Sequence, residues 1–304
     1  MSEPEAARPW LAILNPAARG GLAGRRWPAL AAALKAHGVR FELAVTHAAG
    51  EATALAADGR RRGLDRMLAV GGDGTLYEVL NGLLPGERRA TLAVAPLGTG
   101  NDWARGRGVP RRSRQVAALL AAPRLLAHDV GVVEFEGAAG RERRYFLNVM
   151  GVGYDAYVIE HLSPRGPRAF AYLASLATGL VRYRAPRVRV EADGWSRDAR
   201  LFVAFAALGR YCGGGMQFAP CALPADGLLD IVTIDHLGAL AALARLPRIY
   251  SGRVLRDPAV RWRQSARVTF ATDVPARVEA DGQLLGHTPV TAWILPAAID
   301  VVVP

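Results

Sequence analysis

The sequence predicts an α/β plus all-β protein. Residues 1–128 read as an N-terminal three-layer α/β domain on a parallel sheet, and residues 129–304 as a C-terminal antiparallel β-sandwich. Three observations carry this expectation. Apolar runs alternate with helical patterns as far as about Asp129, as in parallel βαβ units. Beyond it the runs are short, β-branched or alternating, and separated by turns. The 304 residues are 51% hydrophobic and 21% charged, enough for one large or two ordinary cores and too apolar for disorder.

Trp10–Leu14 is an apolar run stopped by Asn15-Pro16, hence a buried strand ended by a turn. The glycine-rich stretch Ala17–Gly24 leads into a helix from about Arg25 to His37, with Gly38 as its stop. Val39–Val45 is a second strand, and Glu51–Arg62 a second helix closed by Gly63. Arg66–Val70 is a third strand that runs into Gly71-Gly72-Asp73-Gly74-Thr75, after which Leu76–Leu84 is helical. Leu92–Pro96 is the fourth strand, and another helix starts at Asn101–Arg105.

Past a boundary near Ala127–Val130, strands are expected at Val130–Glu136, Arg143–Met150, Arg187–Ala192, Leu201–Leu208 and Leu228–Ile234. Further strands fall at Arg267–Phe270, Arg277–Glu279 and Val290–Leu295, with helices at Arg168–Leu180 and Gly238–Leu246. The final strand, Ile299–Val303, could return to either domain.

Composition narrows the function classes. A membrane span needs ~20 consecutive apolar residues, and the best stretch, Leu237–Leu246, is broken by Arg245 and Pro247. Residues 1–9 carry Glu3, Glu5 and Arg8 and lack an apolar signal region, so a cytoplasmic protein is expected. Cys212 and Cys221 are expected to be free thiols, and no clustered histidines join them for zinc. The net charge is +11, with 38 basic residues of which Lys35 is the one lysine. Genome composition explains such a bias as well as attraction to a polyanion does. Nucleic acid is not expected, because no aromatic-basic RNA-binding motif or zinc-finger spacing is present.

The glycine loops carry the chemistry. Gly71–Thr75 follows a strand and opens a helix, where free N–H groups and the helix dipole suit phosphate. Its three glycines allow close backbone approach and positive φ. The bland alternative is a tight βα turn. A P-loop is excluded because Lys35 lies outside any such loop, and the Rossmann fingerprint is absent after the first strand. Pro96-Leu97-Gly98-Thr99-Gly100-Asn101-Asp102 repeats the arrangement one strand later. Consecutive parallel strands end on one edge, so both loops should converge on one crevice. Each delivers a carboxylate, Asp73 and Asp102, and two acids beside a polyphosphate call for a divalent cation such as Mg²⁺.

Here the chain resembles the diacylglycerol-kinase-like lipid kinases, which include soluble bacterial diacylglycerol kinases and the sphingosine and ceramide kinases. The residues that carry the resemblance are Asn15-Pro16, Gly71–Thr75 with Glu78 and Asn81-Gly82, and Pro96–Asp102. Gly213–Met216, Ala219-Pro220, Asp226–Asp230 and Glu279–Gly282 continue it, so that it spans about residues 10–303. It implies an ATP- and Mg²⁺-dependent kinase that phosphorylates a lipid hydroxyl in an interdomain cleft. It implies that Asn15, Thr46, Gly71, Gly72, Gly74, Thr75, Glu78 and Thr99 bind the nucleotide. Asp73 and Asp102 would organise catalytic Mg²⁺, and Asp281 would be the general base. The carbonyls of Leu223 and Leu228 with the carboxylate of Asp226 match a structural Mg²⁺ site in bacterial members. One departure is Gln283, where bacterial members often show Asp-Gly-Glu. The family also leaves room for a homodimer.

Two other readings stay open at this point. An NAD kinase shares the GGDGT logic but not PLGTGND, and a nucleotide-sensing regulator could keep the fold without the chemistry. Asp281 could be a plain Asp-Gly hairpin turn; as a base, its backbone should be exposed and its side chain free to point into the cleft. Seven arginines between Arg245 and Arg267, against Asp257 alone, are either a solvated face or a patch for an anionic membrane surface met peripherally. Leu173, Leu176, Ala177 and Leu180 at helical spacing are core or the wall of a lipid pocket. The six scattered histidines receive no role.

Overall fold

β1 (Trp10–Leu14), β3 (Arg66–Gly71) and β4 (Thr91–Pro96) are buried at every position, as parallel strands covered on both faces must be. The computed structural model describes residues 8–84, 86, 88–138, 140–161, 179–180 and 182–304. The chain divides into two compact units, one running as far as Val130 and taking up Pro296–Pro304, the other Gly131–Leu295.

In the first unit the order is β2 (Phe41–Val45), β1, β3, β4 and then the last residues of β14 (Gln283–Val303), and each of these pairs is parallel. The chain leaves β1 for β2 on one side and returns to β3 on the other. The strand order therefore reverses between β1 and β3, and such a reversal opens a crevice at the carboxyl ends of the strands. The connections are α1 (Ala18–Ala36), α2 (Glu51–Arg61), α3 (Asp73–Leu83), α4 (Asp102–Gly106) and, before the next strand, α5 (Ser113–Ala121). Arg19, Gly20 and Gly21 have positive φ, so regular helix begins after them, within the glycine-rich lead. α5 is a helix that the sequence pattern did not announce. It buries only Val116, Ala117 and Leu120, too brief a stripe to stand out. Those residues join Trp10, Leu30, Leu34, Leu68, Val70 and Val302 in one apolar cluster.

The second unit is antiparallel. β5 (Arg124–Gly137) enters it and forms a hairpin with β6 (Gly140–Phe146). β7 (Val149–Gly153), β8 (Arg187–Ala192), β9 (Trp195–Ala207), β10 (Leu229–Asp235), β11 (Val260–Ser265), β12 (Arg267–Thr272) and β13 (Arg277–Ala280) follow. Their pairings close on themselves, from β9 through β8, β12, β14, β13 and β7 back to β9. β10 and β11 extend outward from β9. α6 (Tyr154–Glu160) and α7 (Ala239–Tyr250) are helices of this unit.

Several boundaries differ from the sequence expectation. The single strand expected over Arg143–Met150 is two, because the chain turns at Leu147-Asn148 to give its N–H groups to a side chain. β11 escaped notice because arginines at 261 and 263 interrupt its apolar positions. Val290–Leu295 and Ile299–Val303 are one strand, whose tail pairs with β4. The helix expected over Arg168–Leu180, with Leu173, Leu176 and Ala177, lies outside the described residues except for Gly179 and Leu180. No helix among the described residues is long and apolar enough to cross a membrane.

Candidate active site

The carboxyl ends of β1, β3 and β4 bring their following loops to the reversal point. Asn15 directly follows β1; its Nδ2 donates to Thr75 Oγ1 at 3.2 Å, and its Oδ1 accepts the Ala17 N–H. Thr46 follows β2 and is buried, with Oγ1 donating to the Leu14 carbonyl at 3.4 Å. At the start of α3 the first helical bond runs from Leu76 N–H to the Gly72 carbonyl. The N–H groups of Asp73, Gly74 and Thr75 therefore precede the intrahelical ladder, the arrangement that suits a phosphate.

Close approach, rather than positive φ, explains Gly71, Gly72, Gly98 and Gly100. Gly72 has φ −109°. A Cβ on Gly98 would stand 2.2 Å from the Cα of Gly72, and one on Gly71 would stand 2.3 Å from Thr75 Oγ1. The two loops thus touch backbone to backbone, and neither position tolerates a side chain. Asn101 fixes the second loop. It has φ 52°, a left-handed conformation that Asn accepts better than most residues. Its Oδ1 accepts the Gly98 N–H at 3.0 Å and its Nδ2 donates to the Gly98 carbonyl at 2.9 Å. Sequence reasoning quoted Asn101 in the motif and gave it no task, although Asn between Gly and Asp is a usable signal for such a bracket.

The two acids meet as expected. A Cβ on Gly100 would lie 2.9 Å from an Asp73 oxygen and 3.4 Å from an Asp102 oxygen. Burial first, then the charge of Asp102, pushes the Asp73 carboxyl up to about 6, against N–H groups from Trp103, Asn101 and Asp102. Asp102 also pairs with Arg105, Nη1 to Oδ1 at 2.9 Å. A desolvated carboxylate facing a second one fits a divalent cation, which would relieve both the burial and the repulsion. Among the described residues there is no cluster of three or more His, Cys, Asp and Glu side chains. The pair therefore suits an ion that takes its other ligands from phosphate and water, as Mg²⁺ does.

Other site residues take less expected places. Glu78 turns to α2: its Oε2 accepts the Ala52 N–H at 3.2 Å, and its carbonyl accepts Thr53 Oγ1 at 3.0 Å. Its observed task is to hold the α2 N-terminus. Thr99 is exposed at the tip of its loop. Asp226 Oδ1 accepts the Leu228 N–H at 3.1 Å, Gln264 Nε2 lies 3.4 Å from its other oxygen, and Leu223 is 47% exposed.

Asp281 is held rather than free. With Gly282 it forms the two-residue turn between β13 and β14, and both have positive φ, 48° and 80°, as in a type I′ hairpin. Its Oδ2 accepts the Leu147 N–H at 2.8 Å, and its Oδ1 accepts those of Asn148 and Val149 at 3.0 Å each. The expectation of an unengaged side chain is corrected on this point: the break between β6 and β7 turns three amides onto it.

Behind this turn lies a buried acid pair that sequence reasoning missed. Glu279 Oε2 accepts the Gly282 N–H at 2.8 Å, and its carboxyl lies against Asp155 at the start of α6. Burial, and then the Asp155 charge, holds Glu279 well above the usual carboxylate range. Burial likewise pushes Asp155 up to about 6. Tyr183 lies beside Asp155 and packs on Tyr154, which burial raises to about 12. An acid whose pKa is higher folded than unfolded stabilises fully below the unfolded value, and that contribution is lost as pH rises through the folded one. Wild type should therefore lose thermal stability progressively as pH rises from the ordinary carboxylate range through about 6, the folded value of Asp155, and on through the higher one of Glu279, whereas Glu279→Gln, which cannot ionise, should lose less. In melts from acid to alkaline pH, the Tm of E279Q relative to wild type is expected to climb; a constant offset would show that the pair carries no excess proton.

Comparison with known proteins agrees with this geometry. Residues 9–133 match the diacylglycerol kinase catalytic domain, and residues 148–303 match the YegS C-terminal NAD kinase beta sandwich-like domain. A YegS-like lipid kinase of Chromohalobacter salexigens is 28% identical over 88% of this chain and 85% of its own. One from Pseudomonas putida is 33% identical over 69% and 70%, and a Bacillus subtilis diacylglycerol kinase is 28% identical over 85% of each. A crystal structure of a diacylglycerol kinase from Bacillus anthracis superposes with TM-score 0.72 at 25% identity, over 98% of this chain and 97% of that one. A yeast NADH kinase, at 11% identity and TM-score 0.53, shares the fold alone. The fold and the paired glycine loops thus define a phosphotransferase that uses an alcohol group as acceptor. The chain belongs to the diacylglycerol-kinase-like lipid kinases.

Proposed function

We propose that the protein transfers the γ-phosphoryl group of ATP to a hydroxyl of a diacylglycerol-like lipid, with Mg²⁺, in the cytoplasm and at an anionic membrane surface. The observation that carries this reading is the pair of half-buried Asp73 and buried Asp102 at the contact of two glycine loops. The first unit, as a three-layer α/β domain, binds the nucleotide, and the second, as a sandwich-like domain, takes the acceptor. Amides at the start of α3 and around Gly98 cradle the phosphates, with Asn15 and Thr75 bracing that backbone and Thr46 beside it. Asp73 and Asp102 hold Mg²⁺, which supplies charge neutralisation on the phosphate oxygens. Asp281 accepts the proton of the lipid hydroxyl as its oxygen bonds to the γ-phosphorus and the bond to the β,γ-bridging oxygen breaks. Leu223, Asp226 and Leu228 are offered as ligands of a second, structural Mg²⁺, to which the protein brings one carboxylate and two carbonyls.

The test is incubation with labelled ATP, Mg²⁺ and a total lipid extract. Label should enter a lipid with a free hydroxyl and depend on the metal. Transfer to NAD instead, or no transfer to any lipid, would overturn the reading.

A further inference from the structure

α7 is apolar on two opposite faces. Ala242 and Ile249 are buried, and Ile249 joins Val232, Val254 and Val260 in the core of the second unit. On the other side Leu240, Leu243, Ala244, Pro247 and Tyr250 are all exposed. Their spacing, three to four residues apart, sets them in one stripe along the helix. Leu240 is 85% exposed, Leu243 43% and Tyr250 47%, so the stripe is not a chance single residue. A helix that is apolar on its solvent side as well as its core side leaves a surface that water penalises.

The chain from the stripe to Arg267 is almost entirely basic in its charged residues. From His236 to Arg267 there are seven arginines, and the one acid is Asp257. Asp257 is buried and already shared by Arg245 and Arg248. Arg253 and Arg256, just past the helix, are exposed and form no ion pair among the described residues. An apolar stripe bordered by arginines is the make-up of a helix that lies in a membrane interface.

We propose that α7 is the element by which this chain docks on an anionic bilayer, with Leu240, Leu243, Pro247 and Tyr250 entering the acyl boundary and Arg253 and Arg256 meeting the headgroups. The inference rests on the lipid-kinase reading for its choice of a membrane over another protein. It also moves the docking role from the arginines alone to the apolar stripe, since two of those arginines are occupied by Asp257.

Sedimentation with phosphatidylcholine vesicles, with and without phosphatidylglycerol, tests this on the full chain. Wild type should bind the anionic vesicles and release in salt. Leu240→Glu with Leu243→Glu should weaken that binding more than about tenfold, through lost insertion and added repulsion. Arg253→Gln with Arg256→Gln should weaken it about thirtyfold at low salt, since each basic residue near such a surface is worth about 1 kcal/mol. Both variants should phosphorylate a water-soluble short-chain diacylglycerol as wild type does, and this arm separates a failed docking surface from a failed kinase reading. Vesicle binding unchanged by the leucine substitutions would overturn the proposal. So would sedimentation velocity showing that the stripe joins two copies of the chain while vesicle binding persists.

Discussion

Asp73→Asn is expected to lower kcat by about 10²-fold or more, the scale of losing a principal electrostatic contributor to a charged transition state. The position explains the size. Asp73 opens α3, sits against Asp102, and has its carboxyl raised to about 6 by burial and by that neighbour. Asparagine keeps the shape and can still accept the Trp103 N–H, so the loop should survive. Removing a half-buried, repelled charge should even leave the metal-free protein as stable as wild type or more so. What disappears is half of the negative charge offered to the cation. Steady-state kinetics over a wide Mg²⁺ range checks this: the variant should stay slow at saturating metal. Recovery of near-normal turnover at high Mg²⁺ would remove Asp73 from the metal site.

Asp281→Asn is expected to cost more, about 10²–10⁴-fold in kcat, because an amide cannot take a proton. Asparagine suits the first position of a type I′ turn, so the hairpin should form. It cannot, however, satisfy all three amides that the carboxylate receives. The Leu147 N–H would face an NH₂ group, and an unsatisfied donor costs about 1–3 kcal/mol. A fall of several degrees in Tm should therefore accompany the loss of turnover. ATP affinity should be unaltered, since the phosphate loops belong to the other unit. Retention of more than about a tenth of wild-type kcat, together with the drop in Tm, would leave Asp281 a turn residue and assign the proton to another acceptor.

Much of this is legible in the amino-acid sequence itself. β1, β3 and β4 are continuous apolar runs ended by Pro or Gly, and strong punctuation of that kind fixes both the element and its edge. The meeting of Asp73 and Asp102 followed from two loops ending consecutive parallel strands. Contacts distant in sequence were not legible. Asp281 is 132 to 134 residues from the amides that hold it. The burial of Glu279 against Asp155 depends on how β13 packs near α6, and nothing in the string Arg277–Gln283 announces it. The family resemblance implies a nucleotide role for Glu78 and is silent on its contacts within the fold. Its observed partner, the N-terminus of α2, lies behind it in the chain, where a local reading does not look.

β14 delivers Asp300 and Val301 to β4, and Arg89 grips the Asp300 carboxylate with two bonds of 2.7 Å. Ile299, Val301 and Val302 are fully or almost fully buried there. On the ribosome, the strand that completes this sheet follows Val130 by about 170 residues. At ~5–20 residues per second, β4 waits roughly 10–30 s with its side unpaired. A nascent chain that ends at Val130 should consequently expose that side to chaperones or to another copy. An excised fragment 1–130 should aggregate unless a peptide carrying residues 296–304 is added in trans.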